Sequence, residues 1–352
     1  MNLRGFVAVC LVIVPVGLAH AAPCSVEQGQ ELIDAGLYTR AIREFSCVID
    51  AQPTGVAGYR GRIEAELMVG RFSDAVLDGV QLNRIVVPVH PDAAATIYAE
   101  YAARLASAPN DIVALTGLGF ARWWFFDYPG AIRVLDDLLA VSPDDVFGNL
   151  FRGSSRLLKG SSRAAGAADL EYALALAPSS PDVHFLVADA YTYGALADPT
   201  RAFAEASIAL AGGLDTPRVH AMLAAAYNAF GNTQQAAIEI KKHLDLVTTE
   251  LVVTAPLAAG SSMTLDLVGG RTFEIPLALV AGQPLSVTTK MPDYWDTILV
   301  VLAPNGTPVI GADDTFKYLA ALEWVPAVSG TYRMWVTSFE AVSTGELVVS
   351  RD

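Results

Sequence analysis

Chemistry in this chain would have to be carried by a few histidines, cysteines and clustered acids. His184 and His220 stand 36 residues apart in matching contexts, PDVHFLVADAY from Pro181 and PRVHAMLAAAY from Pro217. On neighbouring helices the two imidazoles would lie about 8–10 Å apart. A metal needs more ligands than that pair offers, and neither a cysteine nor an HExxH spacing accompanies it. They read as packing histidines duplicated with their segment, and His90 and His243 belong to no motif. Asp136 and Asp137 read as a solvated helix face, Asp144 and Asp145 as a cap after Pro143. No GxSxG elbow, Walker loop or dinucleotide fingerprint occurs. The sequence therefore predicts no catalytic residue and no cofactor, and a protein that is not an enzyme.

Binding chemistry is better represented. The run ARWWFFDYPGAI, from Ala121 to Ile132, places five aromatics within six residues of a chain otherwise rich in alanine. Four consecutive helical residues at 100° each point around most of the circumference, so a lone helix would expose some of them. What positions this run decides whether it is a platform for a ligand or ordinary core.

The 352 residues carry a net charge of −14 and no basic cluster, which argues against nucleic acid as a partner. Arg4, the apolar stretch FVAVCLVIVPVGLA and the small residues Ala19 and Ala21 have the layout of a secretory leader over residues 1–21, cleaved after Ala21. Beyond it no stretch approaches the ~18 apolar residues that span a bilayer, so no membrane insertion is expected after cleavage. Pro23 ahead of Cys24 disfavours lipidation. The expected location is periplasmic or secreted. Cys24 and Cys47 then remain, an even pair that invites a disulfide in an exported chain, with two half-buried thiols as the alternative.

A period near 34 organises the next two hundred residues. GLYTRAIREF from Gly36, GRFSDAVLDG from Gly70, DYPGAIRVL from Asp127 and GNTQQAAIEI from Gly231 each set a tight turn ahead of a helix whose first buried residue is alanine: Ala41, Ala75, Ala131 and Ala236. Pro109, Pro143 and Pro178 close successive units at steps of 34 and 35. Each unit reads as two helices that cannot bury both apolar faces alone, so stacked neighbours share one core.

These residues, with the small first-helix positions Gly29, Gly119, Gly153, Ala188 and Ala224, the aromatics Tyr191 and Tyr227, Ala202 and Phe45, resemble the tetratricopeptide repeat family over about 24–247. Six units fall near 24–54, 56–88, 112–144, 146–179, 181–215 and 217–248, with a degenerate one around Pro91–Pro109. The array domain is expected over 22–248 as six to seven helix pairs. Phe126 departs from the pattern, standing where the family prefers glycine, and Gly166 replaces the small second-helix alanine. In an antiparallel pair turning at Gly36, Cys24 lies 12 residues before the turn and Cys47 lies 11 after it, nearly opposite. The resemblance implies a curved array whose first helices line the concave side and hold a peptide or helix of a protein partner. Its register nominates Phe120, Trp123, Trp124, Leu157, Leu158, Asp189, Thr192, Tyr193 and Asn228 as the groove; for Trp123 and Trp124 packing against an adjacent repeat is the leading reading and a partner anchor its rival. Phe125, Phe126 and Tyr128 are expected as core and turn.

After about Glu250 the hydrophobic period falls to two. SSMTLDL, RTFEIPLAL, PLSVTT, TILVVLA, LAALEWV, GTYRMWVTS and ELVVS are short strands between Gly/Pro/Asn turns, among them the hairpin signal Asn305-Gly306. They predict an antiparallel, jelly-roll-like β-sandwich over 250–352. From FEIPLALVAGQPLSV through DTILVVLAPNGTPVIGADD to VPAVSGTYRMWVTS this segment resembles the bacterial pre-peptidase C-terminal domain. Some relatives bind calcium through acidic loops, which makes Asp296, Asp313 and Asp314 weak candidates, although no D-x-D-x-D-G loop is present and turn-solvating acids are the plainer reading. The whole reads as an all-α solenoid followed by a β-sandwich, an exported interaction protein. The alternative is a carbohydrate- or envelope-binding accessory acting through the sandwich, which would show Tyr294 and Trp295 on an open face.

Overall fold

The computed structural model of the chain describes residues 24–86, 93–159, 162–193, 197–291, 296–313, 320–339 and 345–352. The expected leader and His90, Tyr294, Trp295 and Asp314 lie outside the described residues. Among those described, thirteen helices precede nine strands.

The helices pair as antiparallel hairpins: α1 (Val26–Asp34) with α2 (Tyr38–Ala51), α3 (Val56–Met68) with α4 (Phe72–Val86), α6 (Ile112–Trp124) with α7 (Tyr128–Val141), α8 (Val146–Lys159) with α9 (Arg163–Leu176), α10 (Pro181–Tyr193) with α11 (Pro199–Ala211), and α12 (Pro217–Ala229) with α13 (Thr233–Val247). Between the second and third hairpins stands a single helix, α5 (Ala93–Ser107), where the sequence shows its degenerate unit.

Local chemistry sets the hairpin turns. Gly36, Gly70 and Gly231 adopt φ of 71°, 77° and 74°, and each turn is closed by paired backbone bonds of the Schellman kind, such as Gly70 N–H to Leu67 O and Arg71 N–H to Glu66 O. Past each turn Ala41, Ala75, Ala131 and Ala236 are fully buried, because a larger side chain would hold the two helices apart. Phe45 shows the same economy between hairpins: its ring lies where a Cβ on either Gly29 or Gly61 would collide with it, so α2 packs closely on both α1 and α3. A disulfide joins Cys24 to Cys47, ahead of α1 and within α2. No helix among the described residues is long and apolar enough to cross a membrane.

The strands form two sheets, β1 (Glu250–Val253), β3 (Arg271–Leu279), β8 (Gly330–Ser338), β5 (Thr297–Leu302) and β6 (Pro308–Asp313) in one, and β2 (Ser261–Leu267), β9 (Gly345–Arg351), β4 (Leu285–Lys290) and β7 (Ala321–Trp324) in the other, each in that spatial order. Neighbours are antiparallel except β1, which leaves α13 and adds to β3 in parallel, so the sandwich is mixed rather than wholly antiparallel. Leu265, Leu277, Val287, Leu299, Met334 and Leu347 meet between the sheets.

β5 is buried along its whole length. Its Leu299 and Val301 enter the sandwich core, whereas Ile298, Val300 and Leu302 join Ala237, Ile240 and Leu244 of α13 in a separate apolar cluster. The sandwich is therefore docked on the last hairpin through a second hydrophobic layer. Lys241 completes that joint with its ammonium 4.0 Å from the centre of the Trp335 ring.

Candidate functional site

The first helices α6, α8, α10 and α12 form one face of the later array, the face on which the nominated residues were placed. That face is not open along its length, because α4 lies across it. Phe72, at the start of α4, packs 6.1 Å from the rings of both Phe147 and Phe151 on α8. Ser73 donates its backbone N–H and its hydroxyl to Asp182 on α10, at 2.7 and 2.6 Å and 109 residues away in sequence. About two turns on from Phe72, Gly79 lies flat on Trp124: a Cβ there would stand 3.1 Å from three atoms of the indole.

The aromatic run is resolved by this crossing. Phe120 and Trp123 are 4% and 9% exposed, and Leu157 is fully buried, so none of the three is available to an external partner. Trp123 donates its indole N–H to Ser154 Oγ at 3.0 Å and sits edge-on to Phe151 at 5.0 Å. Trp124 stacks on Phe120 at 5.9 Å and is covered by α4 on its other side. Leu158 is half-buried against the same core. These five nominated groove positions are thus core and self-contact: Trp123 and Trp124 take the packing role rather than that of partner anchors, and Phe120, Leu157 and Leu158 do not line an open groove, because α4, a second helix, lies on the first-helix face.

Phe126 takes the left-handed turn position that Gly36, Gly70 and Gly231 hold in their hairpins, at φ 62°, and is 75% exposed. It makes an edge contact with Tyr128, at 6.2 Å, rather than a core contact. Phe125 is half-buried against Tyr98 of α5.

The remaining nominees lie past α4. Arg218 of α12 donates Nε–H to the buried Asp189 at 2.5 Å and holds its guanidinium 5.3 Å from the centre of the partly exposed Tyr193 ring. Thr192 donates to Ala188 O at 2.8 Å, a bond within its own helix, and Asn228 is exposed. Beside this network an apolar cleft of about 250 Å³ opens between α4, the N-termini of α10 and α12, and the end of α13. Val76, Val80, Phe185, Val247 and Phe339 wall it, and Leu77 and Leu246, 43% and 47% exposed, form its rim. Sequence reading missed these residues, since it placed no second helix on this face.

Among the described residues each histidine is engaged within the protein. His184 Nδ1 meets Glu205 and its Nε2 lies 3.0 Å from Pro178 O; His220 bridges Glu239 and Asp215 at 2.6 and 2.7 Å. These pairs tie first to second helix within one hairpin, as Arg62 ties to Asp78 and Arg152 to Asp169 elsewhere. Despite the cost of burial, the facing carboxylates hold the His220 imidazolium above its usual range. Asp296 and Asp313 lie at one end of the β5–β6 hairpin, and Asp296 O accepts from Phe339 N–H at 2.9 Å.

The sequence matches no protein-family profile and no curated protein. Solved structures similar to it include a tetratricopeptide repeat protein from Parabacteroides merdae, 16% identical, covering 63% of this chain and 77% of that one with a TM-score of 0.38. PilW, a type IV pilus biogenesis factor, is 14% identical over 62% of this chain and 89% of its own, TM-score 0.36. The pre-peptidase C-terminal domain of a collagenase from Bacillus anthracis is 9% identical over 29% of this chain and 95% of its own, TM-score 0.25. The tetratricopeptide-like architecture rests on the chain's own hairpins: their paired helices, left-handed turns and buried alanines.

Proposed function

We propose that the protein is a non-enzymatic, exported interaction scaffold that holds a segment of an envelope protein on the part of its first-helix face left uncovered by α4. The observation that carries this reading is the apolar cleft that Arg218 borders. Leu77 and Leu246 stand exposed at the rim of a cleft whose walls include the buried Val76, Phe185, Val247 and Phe339, which is the arrangement that accepts an apolar anchor with polar groups at its edge. Ser73, Gln81 and Arg218, the last tied to Asp189 and set over the Tyr193 ring, supply that edge.

The test is capture from an envelope fraction with the wild-type chain and a Leu77→Glu/Leu246→Glu variant as baits. Loss of specific partners from the variant, with its thermal midpoint retained, is the expected outcome. Recovery of the same partners at equal yield from both baits refutes the reading.

A further inference from the structure

A second cavity, of about 370 Å³, opens at the other end of the array between α1, α3, α5 and the start of α6. Unlike the apolar cleft it is lined by charge. Arg60 pairs with Glu100, and Arg104 pairs with Asp111 through Nη2 at 3.0 Å. Two further carboxylates, Glu64 and Asp34, line the same cavity.

Glu64 is 5% exposed. Its Oε1 accepts from the Tyr101 hydroxyl at 2.6 Å, but its Oε2 has no hydrogen-bond partner among the described residues. The nearest cation, Arg104 Nη1, stands 3.6 Å away, held back by its bond to Asp111. Asp34, on the exposed rim, accepts among the described residues only from the neutral amide of Gln30, at 3.1 Å. The cavity thus has two guanidiniums for four carboxylates, and one of those carboxylates is buried with an oxygen unsatisfied, which costs several-fold more than an exposed one.

We propose that this cavity binds a primary alkylammonium group, with Glu64 as the buried acceptor and Asp34 as the acceptor for the second ammonium of a short diamine. An ammonium supplies the donors that Glu64 Oε2 lacks, and its alkyl stem can lie along the Tyr101 ring. Burial raises the Glu64 carboxyl above its usual range, so the pH below which protonation opposes an ammonium is raised with it. The same chemistry comes from a free diamine or from a lysine side chain on a peptide. This cavity is separate from the apolar cleft, and its failure leaves the reading of the cleft standing.

The experiment is calorimetric titration of the purified full chain with 1,4-diaminobutane, 1-aminobutane and Nα-acetyl-lysinamide. Glu64→Gln keeps the Tyr101 bond and removes the charge; it is expected to weaken every one of these by about tenfold or more while the thermal midpoint does not fall. Asp34→Asn, at an exposed position, is expected to weaken the diamine and spare 1-aminobutane. Tighter binding of lysinamide than of the diamine assigns the site to a peptide-borne lysine, and the reverse order to a free solute. Absence of binding at millimolar concentration, or equal affinity in wild type and Glu64→Gln, overturns the proposal.

Discussion

His243 Nε2 lies 2.8 Å from the carbonyl oxygen of Phe339, 96 residues further along the chain, while its Nδ1 lies 2.9 Å from the carbonyl oxygen of Pro217. One imidazole thus bridges the last hairpin to the sandwich. A neutral ring can donate to only one of the two carbonyls, yet burial outweighs their attraction for a cation and lowers the group from 6.5 to about 4.

The folded state therefore resists a proton that the unfolded chain accepts. The stability this contributes is fully present above pH 6.5 and is lost as pH falls toward about 4. Thermal midpoints measured across that window should decline more steeply for wild type than for His243→Gln, whose side chain does not titrate there. Parallel curves would show that His243 does not govern the joint.

Glu66 has the opposite sign. Buried at 3% exposure between α3 and α4, with Asp78 nearby, its carboxyl is pushed up from 4.5 to about 8. The folded chain keeps a proton that the unfolded chain releases, so stability falls as pH rises from about 4.5 to about 8 and levels off above. The slope is at most about 1.4 kcal/mol per pH unit. Glu66→Gln should flatten chemical-denaturation stability over that range and exceed wild type at pH 9; a variant weaker than wild type at pH 9 contradicts this.

Phe126 carries a left-handed backbone without burying its ring. Replacing it with glycine should raise stability by about 1 kcal/mol, since an L side chain in that region costs about that much. Phe126→Ala keeps the strain and should stay near wild type. Denaturant midpoints of the two variants separate these effects, and a destabilised Phe126→Gly would mean that the edge contact with Tyr128 matters more than the strain.

Gly79 tests the seating of α4. In a helix free of neighbours, glycine to alanine gains about 1 kcal/mol. Here the added carbon meets Trp124 at 3.1 Å, so Gly79→Ala should gain nothing and Gly79→Val should lower the thermal midpoint and shift tryptophan emission to the red. A more stable Gly79→Val with unchanged emission would place α4 away from the indole.

The hairpins were legible because each is specified by neighbours in sequence: the turn glycines, the alanines five residues on, the closing prolines. TILVVL was legible as a strand; that it is buried along its whole length came from the structure. Phe126 was visible as a departure from glycine, although its exposure was not. The site was read less well. The register put Trp123 and Trp124 on the first-helix face and left groove anchor and inter-repeat core as rivals; what the sequence does not display is α4, an earlier helix, lying on the same face. The sum of many small rotations decides that meeting. Its trace was the interval from Pro91 to Pro109, 18 residues, enough for one helix and too short for a pair.

A plain repeat array behaves as a chain of nearest neighbours, able to start folding anywhere and tolerant of losing units from either end. The bonds from Ser73 to Asp182 remove that freedom. They close a long loop and raise contact order, so the middle hairpins should form slowly and melt together. A fragment ending before Pro181 would lack the acceptor for α4 and would leave Phe72 and Gly79 to hold the aromatic face on their own.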